Sequence, residues 1–435
     1  MEMESRFRYQ PVDLIVVGAG ISGINCAYQL QSELPHVKFT VLEGRNSIGG
    51  TWDLFRYPGV RSDSDLRTYG FTWQPWPYSH PIAEGSLVIQ YLRTCVSQHG
   101  IDWYIQFKHK VLSMKWSSKT QRWTLIVDHE GLRKEFITRF VFLGVGYYDY
   151  QIPRKTTIPG IENFKGKVLH PQFWPDKYDY TGQKIVVIGS GATAVSLVPS
   201  LAKKSSVTLV QRSPTYIRYF PTHARAALRK AAAAQLPESV SVDPHFTPRC
   251  NPWDQRLCLS PDGEFYKASN SPRTHIAVEM KDGQVIKADA IVTATGINMQ
   301  MGGKIDISVD GEVKKWKGRM VWNGLMLQDI PNMMFAFGYT NGSWTLGVDS
   351  TTSILIRLWK LMENRGVAAA VPRLPEEAAL ETVRFWPCSP RTCRRWRRTC
   401  RNTVALGRGD RGSPLSPTTC MRDGGDITTG LEFLI

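Results

Sequence analysis

Two stretches of this 435-residue chain share one order: an apolar run, a glycine-rich turn, a helical pattern and a second apolar run. In the first, Val12 to Val17 meets Gly18-Ala19-Gly20-Ile21-Ser22-Gly23. A helical pattern then runs to Leu34, breaks at Pro35-His36, and Lys38 to Leu42 leads into Glu43. In the second, Lys184 to Ile188 meets Gly189-Ser190-Gly191-Ala192-Thr193-Ala194, a helix-like stretch reaches Ala202, and Ser206 to Gln211 follows. A continuous apolar run suits a strand buried on both faces, and a strand–helix–strand unit joins a parallel pair. Two such units about 170 residues apart predict an α/β fold with two Rossmann-like dinucleotide-binding domains.

The turns carry specific chemistry. Gly18 permits the tight turn, Gly20 lets a pyrophosphate approach the backbone, and Gly23 lets helix and strand pack closely. The helix start then offers free N–H groups and a positive dipole end. Glu43 ends the second strand 20 residues after Gly23, where a carboxylate binds ribose hydroxyls. A glycine pattern alone is weak evidence, whereas strand, glycines, helix, strand and acid in order is strong. In the second copy Gly189 and Gly191 are kept and Ala194 takes the third glycine's place, an allowed variant. Its second strand ends in Gln211-Arg212-Ser213, without an acid. A carboxylate there would repel a 2′-phosphate, whereas Arg212 would pair with it and Ser213 could donate a hydrogen bond. The alternative is that Arg212 is an ordinary surface cation. One site of each chemistry points to FAD in the first domain and NADPH in the second. Gly49-Gly50-Thr51-Trp52 follows the first unit. Gly50 and Thr51 let backbone approach a flat ring, and Trp52 either covers that ring or packs in the core.

Composition narrows the remaining classes. Hydrophobic residues at 42% and charged residues at 21% exclude a disordered or collagen-like chain. No apolar run approaches the about 18 residues that a membrane-spanning helix needs, and Met1 to Gln10 has no apolar core, so no secretory signal is expected. Eight irregularly spaced cysteines fit a reducing compartment, and the expected location is cytoplasmic. Cys250 and Cys258 are eight positions apart, not the pair a flavin disulfide reductase needs. Nothing has metal-ligand spacing. The net charge is +16, but residues 391–411 hold eight arginines against Asp410, so this short stretch supplies +7 and the rest of the chain +9. A basic patch can mark nucleic acid or acidic lipid. Here it reads as a local anomaly of the tail, and no nucleic-acid partner is expected.

Between the two units the chain reads Phe164-Lys165-Gly166-Lys167-Val168-Leu169-His170-Pro171-Gln172-Phe173-Trp174-Pro175. This resembles the FxGxxxHxxxWP fingerprint of flavin-dependent monooxygenases of the Baeyer–Villiger type. Arg56-Tyr57-Pro58-Gly59 with Arg61-Ser62-Asp63 is similar to that family's flavin-side segment. Asn251-Pro252-Trp253-Asp254-Gln255-Arg256-Leu257 and Gly338-Tyr339-Thr340-Asn341-Gly342-Ser343-Trp344-Thr345-Leu346 are most similar to the subgroup that activates the thioamide drug ethionamide. The resemblance covers about Asp13 to Gly366. It implies that NADPH reduces FAD, that O2 then forms a C4a-peroxyflavin, and that one oxygen atom passes to a small organic substrate: a ketone, sulfide, thioamide or amine. It makes Arg256 the catalytic arginine and Asp63 its carboxylate partner and a residue on the cofactor side. A fixed guanidinium would stabilise a peroxide anion, and a nearby carboxylate would orient it. A plain structural ion pair between them is the other reading. The resemblance makes His170 a conformational residue rather than a proton donor.

Three segments depart from the family. Residues 215–252 and 267–281 are short, and the sequence after Phe385 turns arginine- and cysteine-rich until Gly425-Asp426-Ile427-Thr428. Such a tail reads like translation in a shifted frame. The expected organisation is a discontinuous FAD domain, residues 1–150 and 289–366, with an NADPH domain, residues 151–288, inserted and an irregular, poorly ordered tail, residues 367–435. The buried strand read at Asp289 to Gly296 opens the return to the first domain, and Val367 to Leu380 is a helix or a linker. The rival function is a catalytically impaired FAD-binding protein from a truncated or mis-spliced monooxygenase gene.

Overall fold

The computed structural model describes residues 12–64, 66–78, 82–218, 232–236, 240–246, 258–278, 286–338, 343–373, 405–406 and 427–435. The first module opens with β1 (Val12–Val17), the helix Ile21–Glu33 and β2 (Phe39–Leu42). After the helices Thr51–Leu54 and Gly85–Gln98 come β3 (Ile105–Gln106), β4 (His109–Ser117), β5 (Arg122–His129) and β6 (Leu132–Leu143). β1 is the hub: it pairs in parallel with β2 on one side and with the C-terminal half of β6 on the other. The N-terminal half of β6 instead closes an antiparallel meander with β5 and β4. Leu14, Ile15 and Val16 are fully buried because one apolar core lies against each face of this sheet. Removing each such side chain from water contributes about 1.5–3 kcal/mol.

The second module holds β7 (Lys167–Leu169), β8 (Lys184–Ile188), the helix Ala192–Ala202 and β9 (Ser206–Gln211). A short parallel pair, β10 (Ile217–Arg218) and β11 (Cys258–Leu259), precedes the helix Glu264–Ser269, β12 (Thr274–Val278) and β13 (Ala290–Thr293). The five-stranded sheet runs β12-β9-β8-β13-β7, all parallel.

Here the structure corrects the expected boundary. The strand read at Asp289 to Gly296 belongs to the second sheet, where Ala290 lies opposite Ile185 and Thr293 opposite Ile188. The chain re-enters the first sheet only at Asp306–Val309, which pairs with β4, and at Met333–Phe335, which pairs with β6. The second sheet is parallel throughout and the first has a parallel, doubly buried part at β1, β2 and the C-terminal half of β6, so an apolar run ending in small residues fits either.

The two crossings between the modules run side by side. The Asp149 N–H donates to Asn298 O at 2.9 Å, and the Gln300 N–H donates to Tyr147 O at 2.9 Å. The helix Trp344–Asn364 then packs on the helix Ile21–Glu33.

The expected irregular tail is also corrected where it is described. Ala369–Pro372 is a buried strand, not a helix or linker, and pairs antiparallel with Leu431–Leu434. Buried Asn332 fastens it: its Nδ2 donates to Arg139 O at 3.0 Å and Ala368 O at 2.9 Å, and its Oδ1 accepts from the Ala370 N–H at 2.8 Å. Of residues 385–420, only Ala405–Leu406 are described, in parallel with Val321–Trp322. The disorder expected for the remainder lies outside the described residues. No helix among the described residues is long and apolar enough to cross a membrane.

Candidate functional site

The first glycine turn is built from backbone contacts that leave no room for a side chain at Gly18 or Gly23. Gly18, at φ +99°, donates its N–H to Leu42 O at 2.8 Å. A Cβ on Gly23 would stand 1.7 Å from Gly18 O, and one on Gly18 would stand 2.8 Å from Gly144 O. The helix Ile21–Glu33 starts at Gly20 with no side-chain cap and no acid in its first turn, so its leading N–H groups face the turn unscreened. Glu43, 7% exposed, accepts from the Ala19 N–H at 2.7 Å and the Arg45 N–H at 2.8 Å. Burial raises its pKa, with those two N–H groups acting against the rise. Two acceptor bonds leave carboxylate lone pairs free for hydroxyl donors.

Gly50, at φ +53°, faces Gly20: its Cβ would lie 3.3 Å from Gly20 Cα and 3.2 Å from the Tyr150 hydroxyl. The two glycines therefore approach backbone to backbone, and a side chain at Gly50 would press on Gly20 and on Tyr150. The Thr51 and Tyr150 hydroxyls are 2.9 Å apart. Trp52 is partly buried against the module's core and donates from Nε1 to the Tyr69 hydroxyl at 3.0 Å. Sequence reasoning missed the brace beneath this turn. Arg45 donates to Gly50 O at 2.9 Å and to Asp53 Oδ2 at 2.6 Å, and Ser47 donates to the same oxygen at 2.5 Å. No periodic signal marks it; the clue was an Arg, a Ser and an Asp flanking the paired glycines.

The second turn repeats the geometry with altered chemistry. Gly189, at φ +141°, donates to Val210 O at 2.9 Å, and its Cβ would stand 2.1 Å from Ala294 O. The helix Ala192–Ala202 likewise starts without a side-chain cap, and a Cβ on its cap residue Gly191 would meet nothing within 4 Å. Ala194 is fully buried where the first module has Gly23, so this helix accepts the methyl group. Leu42 and Val210 receive equivalent hydrogen bonds, which places Gln211 where the first module has Glu43. Its amide donates to His245 O at 2.7 Å. Arg212 is exposed and Ser213 half-buried, with the Ser190 hydroxyl donating to Ser213 O at 2.6 Å.

The flavin-side segment read in the sequence forms the seam. Phe55 and Tyr57 pack into the second module's core. Burial raises the pKa of the Tyr57 hydroxyl, and the neighbouring Ser196 and Thr193 act against that rise. A Cβ on Gly59 would stand 2.3 Å from both Ser196 O and Ser200 Oγ. Arg61 donates from Nη1 to Glu264 across the seam at 2.5 Å. Asp63 is half-buried two residues on, close enough for its charge to act on Tyr57. Arg256 lies outside the described residues. His170 accepts the Gln172 N–H on Nδ1 at 3.3 Å and caps the short helix Pro171–Phe173. Burial lowers its pKa, which keeps the ring neutral at pH 7. Cys258 is a buried free thiol, and Cys250 lies outside the described residues. Among the described residues no cluster of His, Cys, Asp and Glu could hold a metal.

Comparison with known proteins bears on this arrangement. The family described as Flavin-binding monooxygenase-like matches residues 12–218. The "FAD-containing monooxygenase EthA" of Mycolicibacterium smegmatis is 38% identical, over 88% of this chain and 89% of that protein. The protein of the same name from Mycobacterium tuberculosis is 39% identical, over 84% and 86%. Among solved structures, the OTEMO complex with FAD and NADP has a TM-score of 0.72 at 20% identity, covering 84% of this chain and 87% of that one. Cyclohexanone monooxygenase from Rhodococcus sp. Phi1 bound to NADP+ has a TM-score of 0.72 at 18% identity, with the same coverage. These structures share the fold. With two uncapped glycine turns on one seam and relatives this similar over most of its length, the chain belongs to the flavin-binding monooxygenase-like family.

Proposed function

We propose that this chain is an FAD- and NADPH-dependent monooxygenase that transfers one oxygen atom of O2 to a small organic substrate: a ketone, sulfide, thioamide or amine. The observation that carries the reading is adjacency. The segment that follows the Gly49-Gly50 turn of the first module lies on the helix that opens from the second glycine turn, with Tyr57 near Thr193 and Ser196 and Gly59 against Ser196 and Ser200. FAD, when bound, takes the reducing equivalents of NADPH and supplies the oxygen-activating chemistry.

This chain's residues bind, orient and shield. Gly18, Gly20 and Gly23 present the helix N-terminus to the FAD pyrophosphate, and Glu43 takes ribose hydroxyls on its remaining lone pairs. Gly50 and Thr51 border the ring from a turn held rigid by Arg45 and Asp53, and Trp52 supports that turn from the core side. Gly189, Gly191 and Ala194 present the second helix to NADPH, and Arg212 and Ser213 receive its 2′-phosphate. Asp63 orients Arg256 toward the reacting atoms. The FAD domain is residues 1–150 together with the chain from about residue 297, and the NADPH domain lies between.

The test is the purified full chain, loaded with FAD and offered a panel of ketones and sulfides. NADPH oxidation coupled to oxygenated product supports the reading. A yellow protein that leaves NADPH unoxidised supports the impaired FAD-binding protein, in which the short segments 215–252 and 267–281 have removed turnover. A colourless protein overturns the cofactor assignment.

A further inference from the structure

Arg154 is held in place at the carboxyl end of the second sheet. Its guanidinium rests on Gly296, just beyond β13: a Cβ on Gly296 would stand 3.3 Å from Nη1 and 3.5 Å from Cδ of Arg154. The chain on both sides of Arg154 is tied to the chain leaving β13, by backbone carbonyls before it and by a side-chain hydroxyl after it. Asn298 Nδ2 donates to Ile152 O and to Pro153 O, both at 3.1 Å, and the Thr156 hydroxyl donates to that of Thr295 at 2.8 Å. Arg154 is half-buried, and among the described residues it has no hydrogen bond or ion pair. The acid closest in sequence, Asp149, is already engaged: Oδ1 accepts the Gln151 and Ile152 N–H groups, and Oδ2 pairs with Lys304 at 2.6 Å. A partly desolvated cation fixed this way, without a partner, is a site for an anion.

Topology says which part of the nucleotide that anion is. β8 lies between β9 and β13. The glycine turn follows β8, Arg212 follows β9, and Arg154 sits at the end of β13. A dinucleotide across the strand ends, with its 2′-phosphate at Arg212 and its pyrophosphate at the helix Ala192–Ala202, must run its nicotinamide half toward β13. We propose that Arg154 binds the phosphate on the nicotinamide side of NADPH and so sets the position of that half of the cofactor. The assignment rests on the NADPH reading above.

The experiment measures binding of NADP+ and of adenosine 2′,5′-bisphosphate to the FAD-loaded full chain and its variants by calorimetry. The bisphosphate keeps the groups near Arg212 but lacks the nicotinamide-side phosphate. Arg154→Gln is expected to weaken NADP+ roughly 10- to 100-fold, the usual range for losing one charged hydrogen bond. It should leave the bisphosphate within about twofold, and Arg154→Lys should recover part of the loss. Arg212→Ala should weaken both ligands. An Arg154→Gln protein that binds NADP+ like wild type overturns the proposal, as does equal weakening of both ligands. Wild-type protein that binds neither ligand overturns the NADPH reading and this assignment with it.

Discussion

Replacing Gly23 with alanine tests the close approach on which the first nucleotide turn depends. The new Cβ would stand 1.7 Å from Gly18 O and 3.4 Å from Val16 Cγ1. Carbon–oxygen contacts settle at about 3.3 Å or more, so about 1.6 Å of separation must be created. The helix Ile21–Glu33 cannot retreat freely, because the helix Trp344–Asn364 packs against it and Trp344 Nε1 donates to Ser22 Oγ. The turn cannot retreat either, since Gly18 is tied to Leu42 O and backs onto Gly144 O. Inserting a methyl group into a packed site typically costs about 1–3 kcal/mol, and this displacement belongs at the upper end. If about 3 kcal/mol falls on the flavin-bound form, the FAD dissociation constant rises roughly 100-fold. Titration of released flavin fluorescence, with a denaturant midpoint for stability, reads both effects. The reciprocal change, Ala194→Gly, is expected to leave FAD retention unchanged and to lower stability by about 1 kcal/mol at most. A Gly23→Ala protein with stoichiometric FAD and a wild-type midpoint would refute the reasoning.

Three further outcomes are expected. Arg212→Ala should raise KM for NADPH about tenfold or more while sparing NADH, because the lost partner is that of the 2′-phosphate; equal effects on both nucleotides in steady-state kinetics would count against it. Asn332→Ala removes three hydrogen bonds made by a fully buried amide. At about 1 kcal/mol each it should destabilise by roughly 3 kcal/mol in urea unfolding, and a loss below about 1 kcal/mol would show that the strand Ala369–Pro372 is held by other means. Asp149 has its pKa held below the usual carboxylate value: burial opposes this, and Lys304 with the Gln151 and Ile152 N–H groups outweighs it. A depressed folded-state pKa gives stability that is present above the unfolded pKa of about 4 and lost as pH falls further. Wild type and Asp149→Asn should therefore differ in stability at pH 7 and converge in acid; parallel pH profiles would disprove the linkage.

Both glycine turns were legible in the sequence because their determinants are local. A six-residue stretch either lacks side chains where backbone must meet backbone or it does not, and Gly18, Gly23 and Gly189 carry that requirement wherever the chain goes. Glu43 and Gln211-Arg212-Ser213 were legible for the same reason, since each ends a strand next to its own turn. Sheet membership is not local. Residues 290–293 form an apolar strand that fits either sheet, and only its pairing with β7 and β8 assigned it to the second. Pairing also decided that Ala369–Pro372 is a strand, because its partner, Leu431–Leu434, lies some 60 residues on, beyond an arginine-rich stretch that reads as tail. Arg154 and Asn332 look ordinary in sequence. Their contacts arise where distant parts of the chain converge, Arg154 on Gly296 and Asn332 on Arg139 and Ala370. Short-range steric demands are written into neighbouring residues, whereas the choice among equally apolar partners is made by the free energy of the assembled core.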